Sequence, residues 1–193
     1  MMRKNKQTNR DLALQAATSL FLNKGYLATS MDEIVATSKV SKTNIYYYFS
    51  SKEDLLSAIL DQLIETYQRM IEEIASQHGL SVHKRITALL QLLARQELTC
   101  LGGCPFLTLY TQLPQDAHAI REKVGRFFRD QVDTVDKLLQ EGIEKQEFKA
   151  GLPSRPTAQF IVSVVEGGLF LQHASQDETL LEQALSTLAF LLK

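Results

Sequence analysis

The chain of 193 residues has no tryptophan, two cysteines, four prolines and nine glycines. Two cysteines cannot build a disulfide framework, so a reducing compartment is expected. So few glycines and prolines exclude collagen and low-complexity chains. No apolar run approaches the roughly 18 residues that a membrane span needs. The basic start, Met1-Met2-Arg3-Lys4-Asn5-Lys6, leads into no apolar stretch and does not read as a signal peptide. Nucleophile motifs, phosphate-binding glycine loops and metal-ligand spacings are absent, and His78, His83, His118 and His173 are scattered. The expectation is a soluble, cytoplasmic, non-enzymatic protein without membrane contact, cofactor or metal, long enough to bury its own core.

The net charge of −1 hides an asymmetry. Residues 1–55 carry eight basic against five acidic side chains, and the remainder carries 13 against 17. A basic front on an acidic body suggests an anionic partner for the front alone.

Nearly every segment repeats apolar residues with a period near 3.6, and none alternates with period 2. About nine helices are expected. Leu12, Ala13, Ala16, Ala17, Leu20 and Phe21 make the first stripe, which Gly25 stops. Ser30 and Glu33 have capping-box spacing before a short helix, and Ser41 caps another over about 42–48. Ser50 and Glu53 offer a second capping box before a long helix with a stripe from Leu55 to Ile74. A fifth helix spans about 82–98, and Gly102-Gly103-Cys104-Pro105 breaks the chain before a short helix to Leu113. A helix over about 116–146 follows, then one over about 155–174 that is apolar on several faces and expected to be buried on several sides. A leucine-rich helix ends the chain.

The stretch from Thr29 to Leu56 is the informative one. Two helices of about seven residues are too short to be stable alone and need the first and fourth helices as a platform. Ile34, Val40 and Ile45 can turn inward onto Phe21 and Phe49. This leaves Lys42, Thr43, Asn44, Tyr46, Tyr47 and Tyr48 outside, a cation, hydrogen-bonding groups and phenols of the kind that contact phosphates and base edges.

The run Val40-Ser41-Lys42-Thr43-Asn44-Ile45-Tyr46-Tyr47-Tyr48-Phe49, followed by Ser51-Lys52-Glu53-Asp54-Leu55-Leu56, resembles the signature of the TetR/AcrR family of bacterial transcriptional regulators. So does the preceding Phe21…Gly25-Tyr26…Ala28-Thr29-Ser30-Met31-Asp32-Glu33-Ile34. The resemblance covers about residues 8–60. It implies an all-α homodimer with an N-terminal three-helix helix-turn-helix domain (1–52) and a C-terminal helical effector-binding and dimerisation domain (53–193). It also implies a repressor that a small molecule releases from double-stranded operator DNA. Carried over by position, Thr29, Ser30 and Lys52 grip phosphates, Lys42, Thr43 and Asn44 open the recognition helix, and Tyr46 and Tyr47 reach backbone and bases. Lys39 departs from the family, which usually has glycine in that turn, and Tyr48 is often histidine in relatives.

The last two helices are either an intramolecular core or, as the resemblance implies, the dimer surface. Gly167-Gly168 would allow close helix approach there. Cys104, Phe106, Leu109, Tyr110, Phe127, Phe128, Glu166, Phe170 and His173 are the candidate lining of an effector pocket among the fourth to eighth helices. Cys100 and Cys104 raise an alternative, a thiol-based sensor of electrophiles or oxidants acting through Cys104. Two other classes remain open, a helical enzyme and a helical protein-interaction module.

Overall fold

A computed structural model describes residues 7–94 and 100–191. Nine α-helices and no strand occur among them: α1 (Asn9–Asn23), α2 (Met31–Ser38), α3 (Lys42–Tyr48), α4 (Lys52–Ala75), α5 (Val82–Ala94), α6 (Pro105–Tyr110), α7 (His118–Glu144), α8 (Ser154–Ser175) and α9 (Leu180–Leu191). Arg3, Lys4, Lys6 and the expected extension of α5 over 95–98 lie outside the described residues. None of the described helices is long and apolar enough to cross a membrane.

The helix starts follow local chemistry. Thr8 and Asp11 form a complete capping box on α1. Ser30 and Ser41 each accept the N–H three residues on, as their spacing predicts. The Ser30 box closes on one side only, because the Glu33 carboxylate is bound at 2.8 Å by Lys24. The second box is displaced by one residue. Ser51, not Ser50, caps α4 through the Asp54 N–H, while the Asp54 carboxylate accepts from the Ser50 N–H and hydroxyl.

Helices α1 to α3 and the start of α4 share one apolar cluster, with Phe21, Ile34, Ile45, Leu55, Leu56, Ile59 and Leu60 fully buried. The other end of α4 belongs to the C-terminal bundle, where it packs on α5 and α7. A helix of 24 residues at 1.5 Å each thus runs about 36 Å through both halves. In that bundle α7 packs on α4, α5, α6 and α8, and α8 packs in turn on α9.

Helix α8 departs from expectation. Ala158, Ile161, Val165, Gly168 and Leu169 are buried, but Phe160, Gly167, Phe170 and Leu171 are exposed. They recur at helical spacing, and Phe190 and Leu191 of α9 are exposed too. One apolar face of α8 therefore finds no cover among the described residues. Gly168 does serve a close approach, but within the chain: a Cβ there would stand 2.7 Å from Leu181 Cδ1 of α9, whereas Gly167 faces open space.

An ion pair anchors the far end of α4. Arg85, 0% exposed, donates to the Ala75 carbonyl at 2.8 Å and to the Glu141 carboxylate. Lys145 also binds Glu141 at 2.7 Å, and hydrogen bonds from both cations hold this carboxyl down at about 2. Glu147 caps α5 by accepting the Val82 and His83 N–H groups, each at 3.0 Å.

Glu141→Gln leaves the Arg85 charge buried with a neutral partner and is expected to cost about 3 kcal/mol in urea unfolding. The depressed carboxyl supplies stability in full above the ordinary glutamate range, and that stability drains as pH falls from there toward about 2. Acid titration of stability should therefore be flatter in the variant across this window. An equal acid dependence in both proteins would contradict the assignment.

Candidate nucleic-acid interface

The outer face of α3 is built by inward anchoring. Ile45 and Phe49 are buried against the platform, with Val40 before them. With these three turned in, Lys42, Thr43, Asn44, Tyr46, Tyr47 and Tyr48 are all exposed, Tyr47 by 80%. The Tyr47 and Tyr48 rings meet edge to face with centroids 5.0 Å apart, so each limits the other's rotation. Lys42 binds Asp32 of α2 at 2.8 Å, and the hydrogen bond raises its pKa. The pair is exposed, so it positions the ammonium at the rim without tying it down. Ser30, at the exposed N-cap of α2, accepts from the Glu33 N–H, and its own hydroxyl proton has no acceptor among the described residues.

The turn between α2 and α3 keeps the left-handed conformation in spite of its lysine. Lys39 has φ 57° and ψ 19°, and its N–H closes on the Val35 carbonyl at 3.1 Å. Glycine takes this conformation freely, and a side chain costs roughly 1 kcal/mol. In return, an exposed ammonium stands at the turn.

Two residues expected to grip phosphate are turned inward. Thr29 is only 2% exposed, and its hydroxyl donates to the Gly25 carbonyl at 2.8 Å. Gly25 itself has φ 106°, which only glycine adopts readily, so Thr29 braces a tight turn. Lys52 Nζ donates to the carbonyls of Tyr26 at 2.9 Å and Thr29 at 3.0 Å, and it lies 4.3 Å over the Tyr26 ring. Burial lowers its pKa. Two of its three protons are thus committed to the α1–α2 loop. Arg10 was not foreseen from the sequence. Its guanidinium lies 5.5 Å over the Phe49 ring, at the C-terminal end of α3, and the residue is exposed. An exposed arginine on the first turn of a helix carries no motif, and only the fold brings it beside α3.

The candidate effector residues are divided between the packed core and the surface of the bundle. Phe106 and Phe127 are buried with ring centroids 4.0 Å apart, and Tyr67 and Phe128 close around them. Helical aromatic spacing here produces core. Tyr110 is half-buried beneath the Arg121 guanidinium, and Leu109 is buried. Phe170 and His173 are exposed on the outer side of α8, because that helix presents its other face to α7 and α9. Cys104 is buried against Glu166, whose Oε2 has no hydrogen-bond partner. Burial, with the Glu166 charge beside it, pushes the Cys104 thiol up; burial likewise raises Cys100 and Glu166. Thiolate is the reactive form, so both thiols are poor nucleophiles in this arrangement. The described residues contain no cluster of three potential metal ligands.

Two short helices on a helical platform, with a polar and phenolic face turned outward, define a helix-turn-helix protein of the DNA-binding class. The profile described as "Bacterial regulatory proteins, tetR family" matches residues 13–59, and "Tetracyclin repressor-like, C-terminal domain" matches residues 82–188. The chain belongs to the TetR family of DNA-binding transcriptional regulators. It is 26% identical over 155 residues to the fatty acid metabolism regulator protein of Bacillus subtilis (strain 168), covering 79% of this chain and 77% of that protein. It is 23% identical over 181 residues to the HTH-type transcriptional repressor DhaR of Mycobacterium sp. (strain GP1), covering 92% and 88%. A TetR transcriptional regulator from Chloroflexus aurantiacus J-10-FL superposes with a TM-score of 0.83 at 27% identity, covering 94% and 92% of the two chains. The reduced form of E. coli NemR superposes with a TM-score of 0.80 at 23% identity, covering 93% and 94%. These relatives are named as regulators, not as enzymes.

Replacing Lys39 by glycine removes the left-handed strain and is expected to raise stability by about 0.5–1 kcal/mol in urea unfolding. A loss of stability would show that the Lys39 side chain makes a contact worth more than the strain.

Proposed function

We propose that the protein is a homodimeric repressor whose α3 helices read two half-sites of an operator, and which a small molecule bound in the C-terminal bundle releases. The observation that carries the reading is the exposed α3 face, on which every outward residue from Lys42 to Tyr48 is one that nucleic-acid contact uses. Ser30, Lys39 and Arg10 surround it with further donors to phosphate. Thr29 and Lys52 support it from behind by holding the α1–α2 loop, and the remaining Lys52 proton is available to a phosphate.

One such module covers too little DNA to be selective, so two related by a dyad are needed, their half-sites about one helical turn or more apart. The uncovered α8 stripe of Phe160, Gly167, Phe170 and Leu171, extended by Phe190 and Leu191, supports pairing through a four-helix bundle of α8 and α9 with their copies. The glycine permits the two α8 helices to approach closely. The family's named repressors support the sign of regulation. The buried, unactivated thiols favour a reversibly bound effector over oxidation of Cys104.

Fluorescence anisotropy on DNA from just upstream of the protein's own gene, against a scrambled duplex, tests the reading. Selective binding of two protomers per site, with affinity falling steeply as salt rises, is expected. Phe170→Glu puts a charge in the α8 stripe. It should turn the dimer into a monomer in sedimentation velocity and weaken operator binding at least a hundredfold. A variant that stays dimeric and binds as before would contradict the assigned interface.

A further inference from the structure

Helices α2 and α3 meet at an exposed ion pair beside the outward face of α3. Asp32, in the first turn of α2, and Lys42, the first residue of α3, are joined at 2.8 Å, with side chains 77% and 60% exposed. A pair as open as this adds little to stability, so the fold alone does not account for it. It also makes a poor phosphate clamp. A lysine gains from phosphate by displacing counterions with its charge, whereas Asp32 cancels that charge and repels the same phosphate. The bond uses only Oδ1 of Asp32 and one of the three ammonium protons. Oδ2 and two protons are left without a partner among the described residues. No outward residue of α3 itself is a carboxylate.

A carboxylate and an ammonium side by side match the edge of one base pair. In the major groove a G·C pair shows two acceptors, guanine O6 and N7, and one donor, the N4 amine of cytosine. The two remaining Lys42 protons suit the two guanine acceptors, and Asp32 Oδ2 suits the amine. An A·T pair fits less well. It offers the ammonium the single O4 of thymine, beside a methyl group, or an adenine N7 beside an amine that is itself a donor. We propose that Asp32 and Lys42 together read one G·C pair in each half-site, Asp32 accepting from cytosine N4 and Lys42 donating to guanine. This rests on the reading of the α3 face as the operator contact. Asp32 then also acts against wrong sequences. Where no amine meets it, its carboxylate is stripped of water and left unpaired among phosphates, and binding there is weakened. Base recognition is thus shared between the two short helices, with α2 supplying the acceptor.

Selection from random duplexes with the full-length protein, then anisotropy on the selected site at fixed salt, tests the pair. The wild-type half-site should contain a G·C pair at which Asp32→Ala and Lys42→Met each lose the preference, with the other positions kept. Each variant should bind the selected site at least tenfold more weakly than the wild type does. On a scrambled duplex the two should part: Asp32→Ala, freed of a repelled charge, binds more tightly than the wild type, and Lys42→Met more weakly. Asp32→Asn keeps the shape of the side chain and the start of α2. Its preference should move from cytosine toward adenine, with which an amide pairs. A consensus that Asp32→Ala leaves unchanged, a loss spread over the whole half-site, or an affected pair that is A·T would each overturn the assignment. In those cases the wild type still selects a site, and the operator reading stands. A wild type that selects no sequence overturns the operator reading and this assignment with it.

Discussion

Helices α2 and α3, eight and seven residues long, cannot hold themselves together in water, and the whole N-terminal half is organised around that constraint. Their buried residues are few. Ile34 anchors α2, Ile45 anchors α3, and Val40 and Phe49 pin the chain on either side of α3. Everything else that fixes them comes from α1, α4 and the loop between α1 and α2. Lys52 is the main polar link. Its ammonium reaches from the first turn of α4 to two carbonyls of that loop and rests on the Tyr26 ring. A partly buried ammonium gains more from such bonds than an exposed one. It therefore acts as a clip for the entry to α2.

The same dependence joins the two halves of the molecule. Helix α4 is platform at one end and bundle wall at the other. Lys123 of α7 binds its early turns, donating to the Ser57 hydroxyl at 2.8 Å and pairing with Asp61 at 2.6 Å. Arg85 ties its last turn to α7 through Glu141. A second bridge runs through the glycine break: the Leu101 N–H donates to the Leu22 carbonyl of α1 at 3.0 Å. Two residues on, a Cβ at Gly103 would stand 2.3 Å from the Leu169 carbonyl oxygen of α8. Only glycine allows that approach, and its φ of 74° has the same requirement. Rearrangement of α7 or α8 thus has two routes to α1 and α4, and through them to the α3 face.

What was legible in the sequence was local or periodic. The caps at Ser30 and Ser41, the stop at Gly25 and the inward set of Ile34, Val40 and Ile45 follow from spacing over a few residues. The outer face of α3 follows from the inner one by subtraction. Side-chain directions set by partners outside the local spacing were not legible. Thr29 and Lys52 turn toward backbone carbonyls 4 to 26 positions away in sequence, and the cap of α4 is Ser51 with the Asp54 N–H, not Ser50 with Glu53, because the helix starts one residue later. Phe106 and Phe127 meet only when α6 packs on α7. Phe170 and His173 face outward because a helix apolar all round gives no sign of which side its own chain covers. Arg85 and Gln131 escaped notice for a related reason. Each is one polar residue within an amphipathic helix, and only burial distinguishes it from a solvated one.

The central claim is that α2 and α3 are held by the platform and its clip, not by their own stability. Hydrogen exchange on the Lys52→Met variant addresses it directly, since methionine keeps most of the stem's apolar contact but donates no hydrogen bond. The amides of residues 31–48 should exchange at least tenfold faster than in the wild type, with α7 and α8 unchanged. Unchanged protection over 31–48, or equal loosening along the whole chain, would contradict the account.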